Sequence, residues 1–483
     1  MNKPRQSRRP EDSRYRVGLL AILLGGFLLR LSIDVWIPTQ PVSDFVGYFH
    51  RAIRIATLGR DVSREGLAAT DHPPAYPIAL SLAVRFAPAD RALSAAKAAN
   101  ALLALVAAAL AAALARRLWG ETAALWTAAL FCFFPRSLLM SDLTASENLF
   151  APLLVLFLLL AARRWAGNSS IGFAAAAGVA IGLLTLTRSV AYLLPVVWLV
   201  GVLAGSDRRP RAVAAELLIL IAAEHGVLLP WGIHNARATG SFTFLSTVGG
   251  VGLYIGNNPH ATGYWYDWAA ELESLHPGVG ASGPVAVDDA ARQEALAWIH
   301  SNPGRAAALY ARKLRIILTD DQFVAAFTIF GEGISPPNPP ADVLPGHHPL
   351  KSHPAAVRLV LRSAGLLLAL AALGGLLVLV ARARSGSLAD RALAAGFAAL
   401  ALYFPIVSAA IAVNGRYRWP IEDAVMPLAG LWLARRTESP RAAAGRRADT
   451  MPADPGEVDA WKRSESSSSS RSRASSATSP GRC

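Results

Sequence analysis

The chain has 483 residues, 53% of them hydrophobic and only 17% charged, where soluble domains carry about 25% charged residues. Its net charge of +14 comes from 47 Lys and Arg against 33 Asp and Glu, and the basic residues sit mostly between hydrophobic stretches rather than in a nucleic-acid-binding module. This composition excludes an ordinary soluble enzyme and a nucleic-acid partner, and leaves an all-α polytopic membrane protein as the fold class. The two cysteines, Cys132 in an apolar run and Cys483 at the end, have no metal-ligand spacing and are not expected to form a disulfide.

In chain order, residues 1–16 are a basic cytoplasmic N-terminus, and 17–36 are an uncleaved first span, since no small-residue cleavage site follows. Further spans are expected at 92–115, 121–140, 147–162, 170–187, 190–205, 213–231, 355–381, 388–411 and 417–434, about ten in all. Residues 73–90 are apolar but open with Pro73, Pro74 and Pro77 and contain Arg85. The positive-inside rule decides their place. Arg116–Arg117, Arg163–Arg164, Arg208–Arg209–Arg211, Arg382–Arg384 and Arg435–Arg436 all fall on the cytoplasmic side only if 73–90 does not cross. The segment is therefore read as a juxtamembrane helix at the outer surface.

Two long extracytoplasmic loops result, 37–91 and 232–354, around spans two to seven at 92–231 and spans eight to ten at 355–434. The second loop has Gly/Asn/Pro turns and helix patterns at 289–301 and 303–318, the latter opened by Pro303. It is expected to form a small mixed cap domain. Residues 435–483, with Ser466–Ser470, read as a disordered cytoplasmic tail.

Charged residues at bilayer depth invite a functional reading. Asp44 and Tyr48 lie four apart just beyond the first span, on one face of a helix. A carboxylate there can act as a general base, or simply serve the helix dipole. His72, in Asp71-His72-Pro73-Pro74, can face a phosphate or stand in a plain turn. Glu147 follows Ser146, a candidate N-cap, at the start of the fourth span. Arg188 ends the fifth span against the positive-inside bias. Arg416 and Arg418 open the last one, and guanidinium forks match phosphate oxygens. One topology puts Asp44, Glu147, Arg188, Arg416 and Arg418 on the outer face. Tyr48, Asn257, Asn258 and His260 are candidates for a sugar or acceptor cleft, with shaping of the cap as the structural alternative for the last three. His347, His348 and His353 have no ligand spacing and read as loop residues. No metal site is assigned; a divalent cation stays open as a cofactor.

Several segments together resemble the GT-C glycosyltransferases that use polyprenyl-phosphate sugars, nearest to the branch with protein O-mannosyltransferases and the lipid A aminoarabinose transferase. They are SDFVGYFHRAIRIATLG (43–59), DHPPAYPIALSL (71–82), TASENLF (144–150), GLLTLTRS (182–189), PWGIHNARATGSFTFLSTVGGVGLYIGNNPHATG (230–263) and RYRWPI (416–421). The resemblance implies an inverting transfer. The Ala/Arg/Gly-rich composition suggests a bacterium, and with the charge topology this gives an expected inner-membrane location with the active site on the extracytoplasmic face. The resemblance matches the family's catalytic Asp to Asp44, its second acidic position to Glu147, and its basic residue after the fifth span to Arg188. His72 stands where many members have Lys. Phe45 stands where many have a second acidic residue, which weakens a metal site built on that pair. The implied partners are a polyprenyl-phosphate sugar donor, an envelope glycan, lipid or protein acceptor, and membrane lipids. Two alternatives stay open: a transporter or flippase of polyprenyl-linked lipid or sugar, and a diphosphate-donor ligase or polymerase of the same superfamily.

Overall fold

The computed structural model describes residues 10–37, 39–41, 43–63, 66–167, 171–205, 210–320, 323–330 and 349–437. Their helices, in order, are α1 (Pro10–Trp36), α2 (Asp44–Leu58), α3 (Ala75–Val84), α4 (Ala92–Trp119), α5 (Glu121–Phe133), α6 (Pro135–Ser141), α7 (Glu147–Trp165), α8 (Ile171–Thr185) and α9 (Leu194–Ala204). Then come α10 (Pro210–Thr239), α11 (Gly249–Gly256), α12 (Ala269–Leu275), α13 (Pro284–Ser301), α14 (Pro303–Thr319), the single turn α15 (Phe323–Ala325), α16 (Pro354–Arg384), α17 (Leu388–Ser408) and α18 (Trp419–Thr437). Short 3-10 turns at Ser189–Leu193 and Gly415–Arg418 lead into α9 and α18. Strands are absent among the described residues, which hold one isolated bridge, Val62 to Ala68. The chain divides into two units, residues 1–434 and 435–483, and only 435–437 of the second are described. The expected tail, and His347 and His348, lie outside the described residues.

The protein is an all-α polytopic membrane protein. Among the described residues, six helices are long and apolar enough to cross a bilayer, and the pair α5 and α6, bent by 52°, makes up to seven. The expected spans at 170–187 and 190–205 are shorter apolar helices, Ile171–Thr185 and Ser189–Ala204, packed into the same core. The last expected span, α18, carries Glu422 and Asp423 on buried positions. Residues 73–90 yield only the ten-residue α3, which at 1.5 Å per residue is about half a bilayer long. The helix expected to end at 231 runs on to Thr239, because nothing breaks it before Gly240, whose φ is 75°. The described part of the cap is helical rather than mixed; its Gly, Asn and Pro turns separate short helices instead of strands.

Small residues set the helix spacing. A Cβ on Gly178 of α8 would collide with the Leu220 carbonyl of α10, and one on Gly430 of α18 with Thr127 of α5. Without a hydrophobic drive between helices in lipid, such close backbone approach supplies the packing. The core runs through α7, the most enclosed span, with α1 the least.

The bend between α5 and α6 explains a buried arginine in α1. Pro135 has no N–H, so the Phe131 carbonyl loses its helical donor. Arg30 fills that gap: Nη2 donates to Phe131 O (2.8 Å) and Ser137 Oγ (3.0 Å), and Nη1 to Cys132 O (2.8 Å) and Gly26 O (3.1 Å). A charge inside the membrane is tolerated here because it satisfies backbone that the proline released.

Candidate active site

Four chain segments end at one side of the bundle and bring their charges together. Ser43 turns the chain into α2 with φ 52°, the sole non-glycine residue with positive φ among the described residues. Such a backbone costs about 1–3 kcal/mol, and it places Asp44 as the first residue of α2. Glu147 begins α7, Arg188 follows the end of α8, and Arg416 sits in the turn before α18.

These side chains form a continuous chain of ion pairs. Arg416 Nη2 lies 2.9 Å from Asp44 Oδ2, and its Nε lies 3.3 Å from Glu147 Oε1. Arg188 Nη1 lies 2.7 Å from the same Glu147 oxygen and donates to Ser146 Oγ at 3.1 Å. Glu147 is 1% exposed, whereas the Asp44 side chain is 37% exposed. The open carboxylate therefore faces out and the closed one lies behind the arginines. The Arg416 guanidinium is framed by the rings of Phe45, Phe323 and Tyr417, and the Arg188 guanidinium also lies over the Tyr417 ring. Cation–π contact holds both guanidiniums in place.

His72 and Tyr48 flank Asp44. Their rings meet edge to face at 5.4 Å, and Tyr48 meets Tyr76 at 5.6 Å. His72 Nδ1 lies 2.7 Å from Asp71 Oδ2. Behind them Arg51 holds Asp61 through two hydrogen bonds, 2.8 and 2.5 Å, and donates to the His72 carbonyl at 3.0 Å. Thus Asp44, Tyr48 and Arg51 lie on one face of α2, at helical spacings of four and three.

The field in this cluster is strongly biased. Burial alone would raise the Asp44 carboxyl, but the charges of Arg416, His72 and Arg188 overcome it and hold it below its ordinary value. Burial would lower His72, and its bond to Asp71 and the Asp44 charge reverse this, leaving it above its ordinary 6.5. Burial, with the Asp44 charge, pushes Tyr48 up to about 12, so it remains a protonated hydrogen-bond donor. Arg416 is driven further toward its charged form, the Glu147 and Asp44 carboxylates outweighing its burial.

Other candidate residues are spent elsewhere. Arg418 pairs with Glu422 at 3.1 Å and donates to the Leu318 carbonyl, which ties the turn to α14. Asn257 donates to Leu253 O (2.8 Å) and Ala410 O (2.7 Å) and accepts from Lys313 Nζ (3.2 Å). Asn258 donates to Tyr254 O and accepts from the His260 backbone, both at 2.7 Å. The two asparagines thus use their polar atoms within the cap and, through Ala410, on its junction with the end of α17. His260 is 72% exposed, 3.8 Å from Glu271. Among the described residues no three His, Cys, Asp or Glu side chains gather as a metal site.

Sequence reasoning passed over Arg51, Tyr417 and Phe323. Arg51 had a signal, its spacing from Asp44 and Tyr48 along one helix. Phe323 had none, since only the fold brings α15 to Arg416.

The fold and this cluster define a polytopic helical membrane protein with paired carboxylates and arginines at one membrane boundary. Residues 71–231, about a third of the chain, match the family described as Dolichyl-phosphate-mannose-protein mannosyltransferase. The resemblance to polyprenyl-phosphate-dependent glycosyltransferases therefore rests on a family match as well as on the motifs. Among solved structures, the chain is similar to the oligosaccharyltransferase of Archaeoglobus fulgidus, with 14% identity, TM-score 0.48, and coverage of 86% of this chain and 50% of that one. It is also similar to ArnT of Cupriavidus metallidurans, solved with undecaprenyl phosphate bound, with 16% identity, TM-score 0.40, and coverage of 88% of this chain and 78% of that one. The chain spans about half the length of the archaeal protein. Comparison with curated proteins finds no match.

Proposed function

We propose that the chain is a GT-C type membrane glycosyltransferase that moves a sugar from a polyprenyl-phosphate carrier to a hydroxyl acceptor, with inversion. The observation that carries this reading is the ion-pair chain Asp44–Arg416–Glu147–Arg188, with its open carboxylate in front and its closed one behind. The family match adds a dolichyl-phosphate sugar as the kind of donor its members are named for.

The acceptor hydroxyl attacks the anomeric carbon while Asp44 takes its proton. The bond from that carbon to the phosphate oxygen breaks, and polyprenyl phosphate leaves with the electron pair. Phosphate is a good leaving group, so no general acid is needed. Arg188 and Arg416 stabilise the charge that develops on it, and the His72 cation adds to their field. Arg416 has a second duty. While it pairs with Asp44 it keeps that carboxylate weakly basic. A donor phosphate that takes over the guanidinium raises the basicity of Asp44 at the moment a base is wanted. Glu147 touches both arginines and is a positioning residue in this scheme. Arg418 shapes the turn that presents Arg416.

The charge pattern of α7 supports a facing for the site. Glu147 at its start and Arg164 near its end are about 26 Å apart at 1.5 Å per residue. The positive-inside rule favours the arginine end in the cytoplasm, which supports a site on the extracytoplasmic face; the proposed membrane is an inner membrane. A hydroxyl on an envelope glycan, lipid or protein is the acceptor.

The test is a donor panel. Purified protein with envelope extract is given polyprenyl-phosphate sugars, polyprenyl-diphosphate sugars and nucleotide sugars. Transfer from the monophosphate donors alone supports the reading. Transfer only from diphosphate donors contradicts it in favour of a ligase or polymerase.

A further inference from the structure

We propose that the exposed face of α14 binds anionic phospholipid headgroups at the membrane surface on the Asp44 side. The helix has two unlike faces. Leu309, Lys313, Ile316 and Ile317 are buried, while Arg305, Arg312 and Arg315 are exposed. At 100° per residue these three arginines share one side of the helix, with exposed Leu318 and Ala311 beside them. A basic strip flanked by apolar residues is the pattern of a helix lying in the interface plane.

The buried face fixes the depth of the helix. Tyr310 donates from its hydroxyl to the Ile406 carbonyl at 2.7 Å, two residues from the end of the spanning helix α17. Ile406 is itself exposed on the lipid-facing side of that span. Lys313 donates to Gly256 O (3.1 Å), to Asn257 Oδ1 and to Ala410 O (3.4 Å), just beyond the end of α17. So α14 lies level with the end of a spanning helix, where headgroups begin.

Charge decides the partner. Among the described residues, none of the Arg305, Arg312 and Arg315 guanidiniums has an ion pair or hydrogen bond. Arg188 and Arg416, by contrast, are matched to Glu147 and Asp44. Three unmatched guanidiniums at headgroup depth fit the phosphodiester of an acidic lipid, and each favours an anionic surface by about fivefold. The C-terminal end of α14 also grips the turn that carries Arg416. Asp320 Oδ2 accepts from the Gly415 backbone at 3.1 Å, and the Leu318 carbonyl accepts from Arg418. Lipid held on α14 therefore steadies the element that presents the site.

The test places a reporter among the arginines and is independent of any transfer reaction. The full chain carrying Cys483→Ser and Ala308→Cys is labelled with an environment-sensitive fluorophore; Cys132 is buried. It is reconstituted in phosphatidylcholine vesicles doped with equal minor fractions of spin-labelled phosphatidylglycerol or spin-labelled phosphatidylcholine. Quenching by the glycerol lipid is expected to exceed that by the choline lipid about threefold or more. The excess disappears at high salt and in R305Q/R312Q/R315Q, whose melting temperature stays that of the parent because the changed residues are exposed. Equal quenching by the two lipids, quenching by neither, or an excess that survives the triple substitution overturns the proposal.

Discussion

Arg416 Nη2 lies 2.9 Å from Asp44 Oδ2, although the two residues stand 372 positions apart in the chain. The pair joins the first helix after the first span to the turn before the last helix. It makes one guanidinium the common partner of an open carboxylate and, through Glu147, of a closed one.

Substituting Arg416 by Gln removes the group proposed to pass from Asp44 to the donor phosphate. The KM for a polyprenyl-phosphate sugar is expected to rise about tenfold or more, the worth of one charge-assisted contact. The acidic limb of the rate profile moves up in pH, because Asp44 loses its largest stabilising charge. Steady-state kinetics against pH reads both, and an unchanged KM with an unchanged acidic limb removes Arg416 from the mechanism.

The pH profile of the unsubstituted chain has a stated sign. Asp44 is ionised well into the acid range, since its carboxyl lies below the ordinary 3.8. His72 is charged at low pH and loses its proton above 6.5. Transfer is therefore expected to be flat through weakly acidic pH and to fall as pH rises through the raised His72 value. His72→Lys, which stays charged, removes that alkaline fall. A fall of the same size in His72→Lys assigns it to another group.

Glu147→Gln separates positioning from catalysis. The carboxylate is 1% exposed and faces two arginines. Its loss leaves Arg188 without a carboxylate partner and Arg416 with Asp44 alone, a defect of about 3 kcal/mol or more. Thermal unfolding in detergent is expected to drop by several degrees, with transfer impaired. A variant that melts like the parent yet transfers nothing makes Glu147 a catalytic group instead.

Asn257→Ala tests the cap. Its amide ties α11 to Ala410 and receives Lys313, whose burial lowers it to about 8. Loss of these bonds costs about 1–3 kcal/mol, read as a lower melting temperature, while the KM values for donor and acceptor stay put. A selective rise in either KM returns Asn257 to the cleft.

Much of this site is legible in the sequence because charges stand out against apolar neighbours. Asp44, Glu147, Arg188 and Arg416 each sit at the edge of a hydrophobic run, and one topology gathers them on one face. The spacing could not tell Arg416 from Arg418. Two residues apart in a tight turn, one faces Asp44 and the other Glu422. The asparagines of GNNPH looked like ligand-binding groups because an amide that ties a turn has the same chemistry as one that holds a sugar. The spans were legible where apolar runs are long. They were less so at α8 and α9, where short helices are carried by their neighbours, and at α10, which outlasts its hydrophobic run by a polar turn or two.

Single-turnover transfer from a bound polyprenyl-phosphate sugar, compared between the unsubstituted chain and Asp44→Asn, tests the general base most directly. Asn keeps the shape of the side chain and cannot take a proton. The rate is expected to fall about 100-fold or more, with the melting temperature and the donor affinity little changed. A folded Asp44→Asn protein that transfers at the parent rate contradicts the assignment of Asp44 as the base.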